Sequence, residues 1–243
     1  AEYPEDEEEL WKGQALPKEP GVVQFGTWDL TWAGAEMIPG GRLDAGFPGI
    51  GPLAVPGTYT VRLTVDGKSQ TAPLVLKADP RERVPAADLE EQLRFALEIR
   101  DAITRLTRAV RDLQTVRRQL ALRNEVLAAE ARAEALRKAS SELIGKLDAL
   151  EARLHNPKAE VVYDILAQKG GTQLYSRLSP LLDIVKTGDG APTEGARQEF
   201  AREKLELSGD EAELSRLLAT DLAALNDAAG KLGLPRIYVP AGR

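Results

Sequence analysis

Acidic side chains are the most abundant groups in this sequence that could do chemistry. The chain has 38 aspartates and glutamates against 32 lysines and arginines, and a glycosidase needs two carboxylates roughly 5 to 10 Å apart. Asp29 and Asp44 are the best candidates because they lie in a loop-rich segment, although Asp29 follows a tryptophan and is better suited to cap a turn. Since no motif singles out a catalytic pair, the sequence predicts no catalytic residues and a protein that is not an enzyme.

Metal-binding and nucleophilic residues are scarce. The chain has a single histidine, His155, and no cysteine, which excludes multi-histidine and thiolate metal sites. His155 stands just before Asn156-Pro157, where a helix should end, so we expect it to serve the last carbonyls of that helix. The glycines between Gly40 and Gly51 lack the spacing of a nucleotide-binding loop. We therefore expect no metal and no cofactor.

Aromatic residues are the candidates for interaction. Trp28, Trp32 and Tyr59 lie in a segment with β periodicity, where aromatic side chains form either a core or a platform on which sugars stack. The scarcity of other large residues in this segment favours the core. Trp11 lies beside an acidic run, so it either docks on a partner or folds back onto its own domain. A carbohydrate-binding accessory domain is therefore the alternative to a protein-interaction module.

The overall charge disfavours a polyanionic partner. The formal net charge is −6, and arginines of the first predicted helix are interleaved with acids, as in Asp101 and Arg105, whose spacing stabilises a helix. With aromatic residues at only 5%, few side chains could stack on bases. The arginines thus predict a salt-bridged, solvated face and no nucleic acid. No apolar run approaches the roughly 18 residues that span a bilayer.

Residues 21–80 show the alternation of a β-sheet, and their clearest strand is followed by Asp66-Gly67, a signal for a type I′ hairpin turn. The stretch from Pro39 to Pro56 is rich in glycine and proline and predicts a long loop. Only three or four strands are evident, whereas an immunoglobulin sandwich has about seven, so the predicted sheet is incomplete. One face of the hairpin should be buried and the other wet. The buried face comprises Tyr59, Val61, Leu63, Val65, Ala72, Leu74 and Leu76.

Residues 81–240 show helical periodicity, with apolar side chains every three or four positions in four segments. Short connections force neighbouring helices to be antiparallel. The predicted fold is therefore α+β: a small, incomplete immunoglobulin-like β-sandwich followed by a long antiparallel four-helix bundle, with residues 1–20 as an acidic, proline-containing linker. The four segments run from Leu89 to Leu120, from Val126 to Leu154 with a turn near Asn124, from Leu174 to Val185, and from Phe200 to Leu225.

Several sequence phrases resemble a known family over roughly residues 20 to 240. In the β segment they are Trp28-Asp29-Leu30, the run from Gly51 to Gly67, and Lys77 to Arg81; in the helical segment they are Asn156-Pro157-Lys158, Tyr163 to Leu166, Leu174 to Leu178, Gly188 to Thr193 and Asp221 to Asn226. These phrases resemble the C-terminal region of bacterial sortilin-type, BNR-repeat propeller proteins, which are often labelled glycosyl hydrolases. In that region a FlgD-like immunoglobulin segment precedes the helices.

The resemblance implies a role without catalysis. The activity implied by the hydrolase label would sit in the propeller, which this chain does not contain. We therefore expect a periplasmic or extracellular accessory module, part of or remnant from such a protein, that acts as a scaffold or subunit of a larger assembly. Its partner would be a protein, either the parent propeller or another subunit, with no nucleic acid and no direct membrane span.

Overall fold

The computed structural model describes residues 27–81, 83–167, 169–188 and 190–239. Within them the chain has a mixed α+β fold, in which a β-region precedes a larger helical region. The predicted linker and Trp11 lie outside the described residues. The strands are β1 (Thr31–Ala33), β2 (Ile50–Leu53), β3 (Gly57–Val65) and β4 (Lys68–Leu76). The helices are α1 (Ala86–Val126), α2 (Glu134–Leu154), α3 (Val162–Leu166), α4 (Leu174–Lys186), α5 (Glu194–Leu217) and α6 (Ala223–Lys231).

The long helices form where apolar side chains repeat with helical spacing. α1 has 41 residues, which gives a length of about 60 Å at 1.5 Å per residue. Its buried side chains recur every three or four positions, and it contacts α2, α4 and α5. A 3₁₀ turn at Ala131–Ala133 precedes α2, and a π-helical turn at Leu218–Leu222 joins α5 to α6. α1, α2, α4, α5 and α6 share one apolar core.

A helix is present in each of the four predicted segments, although Val126, predicted to belong to the second, is the last residue of α1 and α2 begins at Glu134. α1 ends at Val126, two residues after the predicted turn at Asn124, and α2 ends at Leu154, directly before His155. α4 begins at Leu174, and the run from α5 to α6 ends at Lys231. The sequence pattern did not predict α3, because five residues are too few to show a helical period.

The described β-region consists of two separate two-stranded antiparallel sheets, in which β1 pairs with β2 and β3 pairs with β4. β2 lies inside the stretch from Pro39 to Pro56, so the prediction of a continuous long loop was wrong. Gly51 explains how the strand forms there. A Cβ atom at Gly51 would lie 1.9 Å from the carbonyl oxygen of Trp32 on β1, so the close approach of the two strands requires glycine.

The segment between β1 and β2 packs directly on the helices. Ala35 and Ile38 are buried within the helical core. Between them, the backbone N–H of Glu36 donates to Thr104 Oγ1 at 3.2 Å, and the carbonyl of Glu36 accepts from Thr107 Oγ1 at 2.9 Å. Both threonines belong to α1, so this part of the β-region is fixed to the longest helix.

Candidate interaction surface

The β3–β4 hairpin follows from its local sequence. Threonine and valine dominate β3, and β-branched residues favour extended backbone. Asp66 and Gly67 form the turn with φ of 48° and 78°, the positive values that a type I′ turn needs at both positions. The two nine-residue strands pair in one continuous register from Gly57 opposite Leu76 to Val65 opposite Lys68. The predicted hairpin and its turn are confirmed.

One face of this hairpin is apolar, and it is exposed. Val61, Leu63 and Val65 expose 51%, 50% and 52% of their surface. The sequence pattern predicts this face to be buried; within the described residues no layer covers it, so that prediction was wrong for this part of the chain. Alternation determines which side chains share a face, whereas burial requires a second layer. The apolar hairpin face comprises Tyr59, Val61, Leu63, Val65, Ala72, Leu74 and Leu76, and it also carries Gln70 opposite Leu63 and Lys68 opposite Val65 near the turn.

The opposite face of the hairpin is mostly polar. Across the strands, Thr64 Oγ1 and Ser69 Oγ share a hydrogen bond of 2.8 Å, and Arg62 lies opposite Thr71. The hairpin therefore has the amphipathic pattern of an antiparallel sheet that packs on one side and meets water on the other. The remaining members of the polar face are Thr58, Thr60, Pro73 and Val75.

The two outer edges of the hairpin differ in their backbone donors. In a two-residue hairpin the pair that flanks the turn, here Val65 and Lys68, exchanges both backbone hydrogen bonds, and every second pair does the same. The pairs in between direct their N–H and C=O groups outward. Pro73 occupies an outward-facing position opposite Thr60 and has no N–H, so it interrupts the edge of β4. The edge of β3 keeps its outward N–H groups at Thr58, Thr60, Arg62 and Thr64.

Two of the aromatic candidates, Trp28 and Tyr59, meet at the base of the hairpin. The rings of Trp28 and Tyr59 meet edge to face with centroids 5.5 Å apart, and the Tyr59 hydroxyl donates to the carbonyl of Val55 at 2.6 Å. Trp28 and Trp32 are 42% and 43% exposed. The structure therefore corrects the interpretation that the two tryptophans supply a core. Trp28 instead adjoins the apolar hairpin face through Tyr59.

The two carboxylates considered for catalysis, Asp29 and Asp44, differ in their hydrogen bonds. Asp29 Oδ1 accepts hydrogen bonds from the hydroxyl of Thr31 at 2.7 Å and from its backbone N–H at 2.9 Å. These bonds, the hydroxyl first, hold the pKa of Asp29 below its usual range, and they confirm that Asp29 caps a turn. Asp44 has one buried carboxylate oxygen without a partner in the described part of the chain. In the same residues no hydrogen bond joins Asp29 to Asp44.

The side chain of His155 forms a hydrogen bond with a carboxylate. This corrects the prediction that it would bind the last carbonyls of the helix. Its Nε2 lies 2.9 Å from Oε1 of Glu151, a residue that is only 1% exposed. Glu151 also accepts hydrogen bonds from Gln114 and Arg117, both at 2.6 Å. Burial alone would raise the pKa of Glu151, but the hydrogen bonds from His155 and Gln114 and the charge of Arg117 outweigh it and lower that pKa. This cluster ties α1 to α2.

The arginines of α1 bind other elements. Arg105 pairs with Glu211 of α5 at 3.1 Å, and Arg108 pairs with Glu36 of the β-region. Asp101, whose spacing to Arg105 favours a helix, pairs with its neighbour Arg100. These arginines therefore form ion pairs that join α5 and the β-region to α1.

An apolar cleft of about 330 Å³ lies where the β-region meets the helices. Two polar side chains on its wall already have partners. Gln92 donates to the carbonyl of Val185 at 2.8 Å, and Lys186 donates to the carbonyls of Phe47 and Ile50, both at 2.9 Å. Gln92 joins α1 to α4, and Lys186 joins α4 to the β-region. The apolar lining includes Leu30, Leu76, Leu89 and Leu93.

Comparisons of the chain with protein-family models, with curated proteins and with solved structures gave no match. Among the helices of the described ranges, none combines the length and apolar character needed to cross a membrane. In those ranges, too, no group of three or more histidine and acidic side chains could hold a metal ion. The apolar hairpin face is the candidate interaction surface of this chain.

Proposed function

We propose that this chain is a non-catalytic interaction module, acting as a scaffold or subunit of a larger assembly, and that the apolar hairpin face is its docking surface. The observation that carries the proposal is the exposure of about half of Val61, Leu63 and Val65. Contiguous exposed apolar side chains mark interaction sites in soluble proteins. A two-stranded hairpin is only marginally stable by itself in water, so a covering layer would stabilise it.

The chemistry of the face defines the partner. A β-sheet would pack about 10 Å above the hairpin and present apolar side chains at alternating positions. Covering the exposed half of Val61, Leu63 or Val65 would contribute about 1 kcal/mol for each residue. The covering sheet would complete an immunoglobulin-like sandwich, and the helices would form an antiparallel four-helix bundle. The resemblance to sortilin-type propeller proteins favours a partner in the periplasm or outside the cell.

Site-specific cross-linking tests the proposal. A photoreactive amino acid replaces Leu63 on the face or, as a control, Leu205, which is 76% exposed on α5. We expect the probe at residue 63 to cross-link one protein in cells, and the probe at residue 205 not to do so. With that protein purified, Leu63→Lys should weaken binding by about tenfold or more, and Leu205→Lys should leave it unchanged. Equal binding by both variants would contradict the docking surface.

The exposure of Trp28 and Trp32 favours a second candidate, a carbohydrate-binding accessory domain. Tryptophan rings that are 42% and 43% exposed could stack on sugar rings. Tryptophan fluorescence titrated with a panel of polysaccharides tests this, with Trp32→Ala as the variant that should lose the response. A flat titration with every polysaccharide would remove this candidate.

A further inference from the structure

The outer edge of β3 is suited to pair with another strand, and the edge of β4 is not. The outward-facing N–H groups of β3 form an unbroken row, whereas Pro73 interrupts the row on β4. Among the described residues β3 pairs with β4 alone. An unpaired edge of nine residues is a template for strand addition.

The edge of β3 is also complementary to itself. Two antiparallel strands pair only when outward-facing residues lie opposite outward-facing residues. Thr60 can therefore lie opposite Arg62 of a second copy, which places a two-fold axis at Val61. Val61 is the middle residue of β3, so all nine residues of the strand pair in this register. An axis at Arg62 would instead place two arginines opposite each other, which is destabilising.

We infer that two copies of this chain pair through their β3 edges and form one four-stranded antiparallel sheet centred on Val61. The inference rests on the proposed function, because it names a partner for the same hairpin. Val61 then faces Val61 of the second copy, and Tyr59 faces Leu63. Aromatic and β-branched cross-strand pairs of this kind stabilise a sheet, and a sheet of more than two strands with an apolar face is stable where a single hairpin is marginal.

This pairing gives a dimer and cannot add further copies. In the dimer both β3 edges are used, and the outer strands are the two copies of β4, whose edges Pro73 interrupts. The contact is isologous and closed, so it does not propagate into a fibre. The two-fold axis is perpendicular to the sheet, so the two apolar hairpin faces lie on the same side and together offer a four-stranded surface to the docking partner.

Sedimentation equilibrium of the full chain over a dilution series tests the dimer. Thr60→Pro removes an outward N–H of β3 in both copies and should weaken the dimer by about 30-fold. Thr71→Pro is the matched control, because Thr71 faces outward on β4; it should leave the dimer unchanged. Neither substitution removes a hydrogen bond between β3 and β4. A chain that is monomeric at every concentration, or a dimer that Thr60→Pro leaves intact, would overturn the inference.

A charge pair at the axis tests the register. Val61→Glu and Val61→Lys should each abolish the dimer, because two like charges would face each other, and a 1:1 mixture of the two variants should restore it as a heterodimer. If the mixture stays monomeric, the register is wrong.

Hydrogen exchange supplies an independent check. The amides of Thr60 and Arg62 should become protected as the wild-type concentration rises, and protection that is already complete in a monomer would contradict pairing between copies.

The outcomes separate this inference from the proposed function. Thr60→Pro leaves every side chain of the apolar hairpin face in place. A monomeric wild type that still cross-links a different protein through residue 63 would overturn only the dimer. A dimer that binds no other protein through that face would overturn only the proposed docking role.

Discussion

The hairpin and the helical core distribute apolar and charged side chains in opposite ways. The hairpin exposes about half of Val61, Leu63 and Val65, whereas the helical core buries Glu151 and Glu203 to 1% and 0% exposure. Exposed apolar groups add little to the free energy of unfolding, and buried carboxylates subtract from it unless they are paired. The helical core therefore has enough apolar burial to tolerate polar side chains, while the hairpin lacks a second layer among the described residues.

The two buried glutamates differ from each other as well. Glu151 has three hydrogen-bonding partners, whereas neither carboxylate oxygen of Glu203 accepts a hydrogen bond in the described part of the chain, and the hydrogen bond between Glu199 and Glu203 favours protonated Glu203. Burial, and after it the charge of Glu199, raises the pKa of Glu203 to about 7, against an opposing contribution from Arg177. The same side chain type is thus tied into a network in one place and poorly accommodated in the other.

The largest effect should come from one leucine substitution made in both regions. Leu147→Ala removes a side chain that is fully buried between helices and should lower the free energy of unfolding by about 3 to 5 kcal/mol. Leu63→Ala, on the exposed face, should lower it by less than about 1 kcal/mol. Urea denaturation at low protein concentration measures both. Comparable losses would mean that the hairpin face is covered in solution.

Glu203 should make the folded protein less stable as the pH rises. An acid in an ion pair has the opposite effect, because its pKa is lowered on folding. The pKa of Glu203 is about 7 in the folded protein, above the usual 4.5, so protonation favours the folded state. The stabilisation is complete below pH 4.5 and is lost as the pH rises through 7, a change of about 3 kcal/mol. Glu203→Gln, which is always neutral, should match the wild type at pH 4.5 and exceed it by about 3 kcal/mol at pH 8.

The measurement is urea denaturation of the wild type and Glu203→Gln across this pH range. Glu142→Gln serves as the control for the same chemical change at an exposed position within α2. A constant difference between Glu203→Gln and the wild type would show that Glu203 is solvated or paired in solution.

Glu151 should make the folded protein less stable as the pH falls, which is the reverse of the effect of Glu203. Because the pKa of Glu151 is lowered in the folded protein, it contributes stability above its usual pKa and loses that contribution as the pH falls. Glu151→Gln leaves Arg117 without its buried partner and should cost about 2 kcal/mol at pH 7, with a smaller cost in acid. Thermal denaturation at pH 7 and pH 4 gives both values. A variant as stable as the wild type at pH 7 would contradict the network around Glu151.

The smallest of these effects comes from glycine, and its sign should differ between the regions. Gly67→Ala places a Cβ at a φ of 78° in the hairpin turn and should cost about 1 kcal/mol. Gly145 lies within α2 with open space around a Cβ, so Gly145→Ala should add about 0.5 to 1 kcal/mol. Thermal denaturation of the two variants checks both signs. A loss from Gly145→Ala would point to a contact at that helix surface.

Local sequence patterns were sufficient to predict the hairpin and the long helices, but not β2 or α3. The hairpin turn at Asp66-Gly67 needs positive φ at both positions, which only a few residue types accept, so two residues identified it. The helical segments were predictable because apolar side chains repeat with a 3.6-residue period along α1, α2, α4 and α5. Both signals reside in neighbouring residues, so neither depends on what the elements pack against.

Contacts between distant residues were not predictable from these patterns. β2 depends on the approach of Gly51 to Trp32, and the partner of Arg105 is Glu211, more than 100 residues away along the chain. The interpretation of Trp28 and Trp32 as core failed for the same reason, because an aromatic residue in a strand is buried only where another layer reaches it.

The amino-acid sequence by itself determined the β3–β4 hairpin with its turn, the long helical segments, and which apolar side chains share the apolar hairpin face. Only the tertiary structure decided that this face stays uncovered in the described residues, that His155 meets Glu151, and that Glu203 is buried beside Glu199 with no donor to its carboxylate in those same residues. The physical reason is the distance along the chain over which each effect acts. Backbone preference and side-chain alternation act over a few residues, whereas burial and the pKa of a carboxylate depend on elements that the fold brings together from far apart.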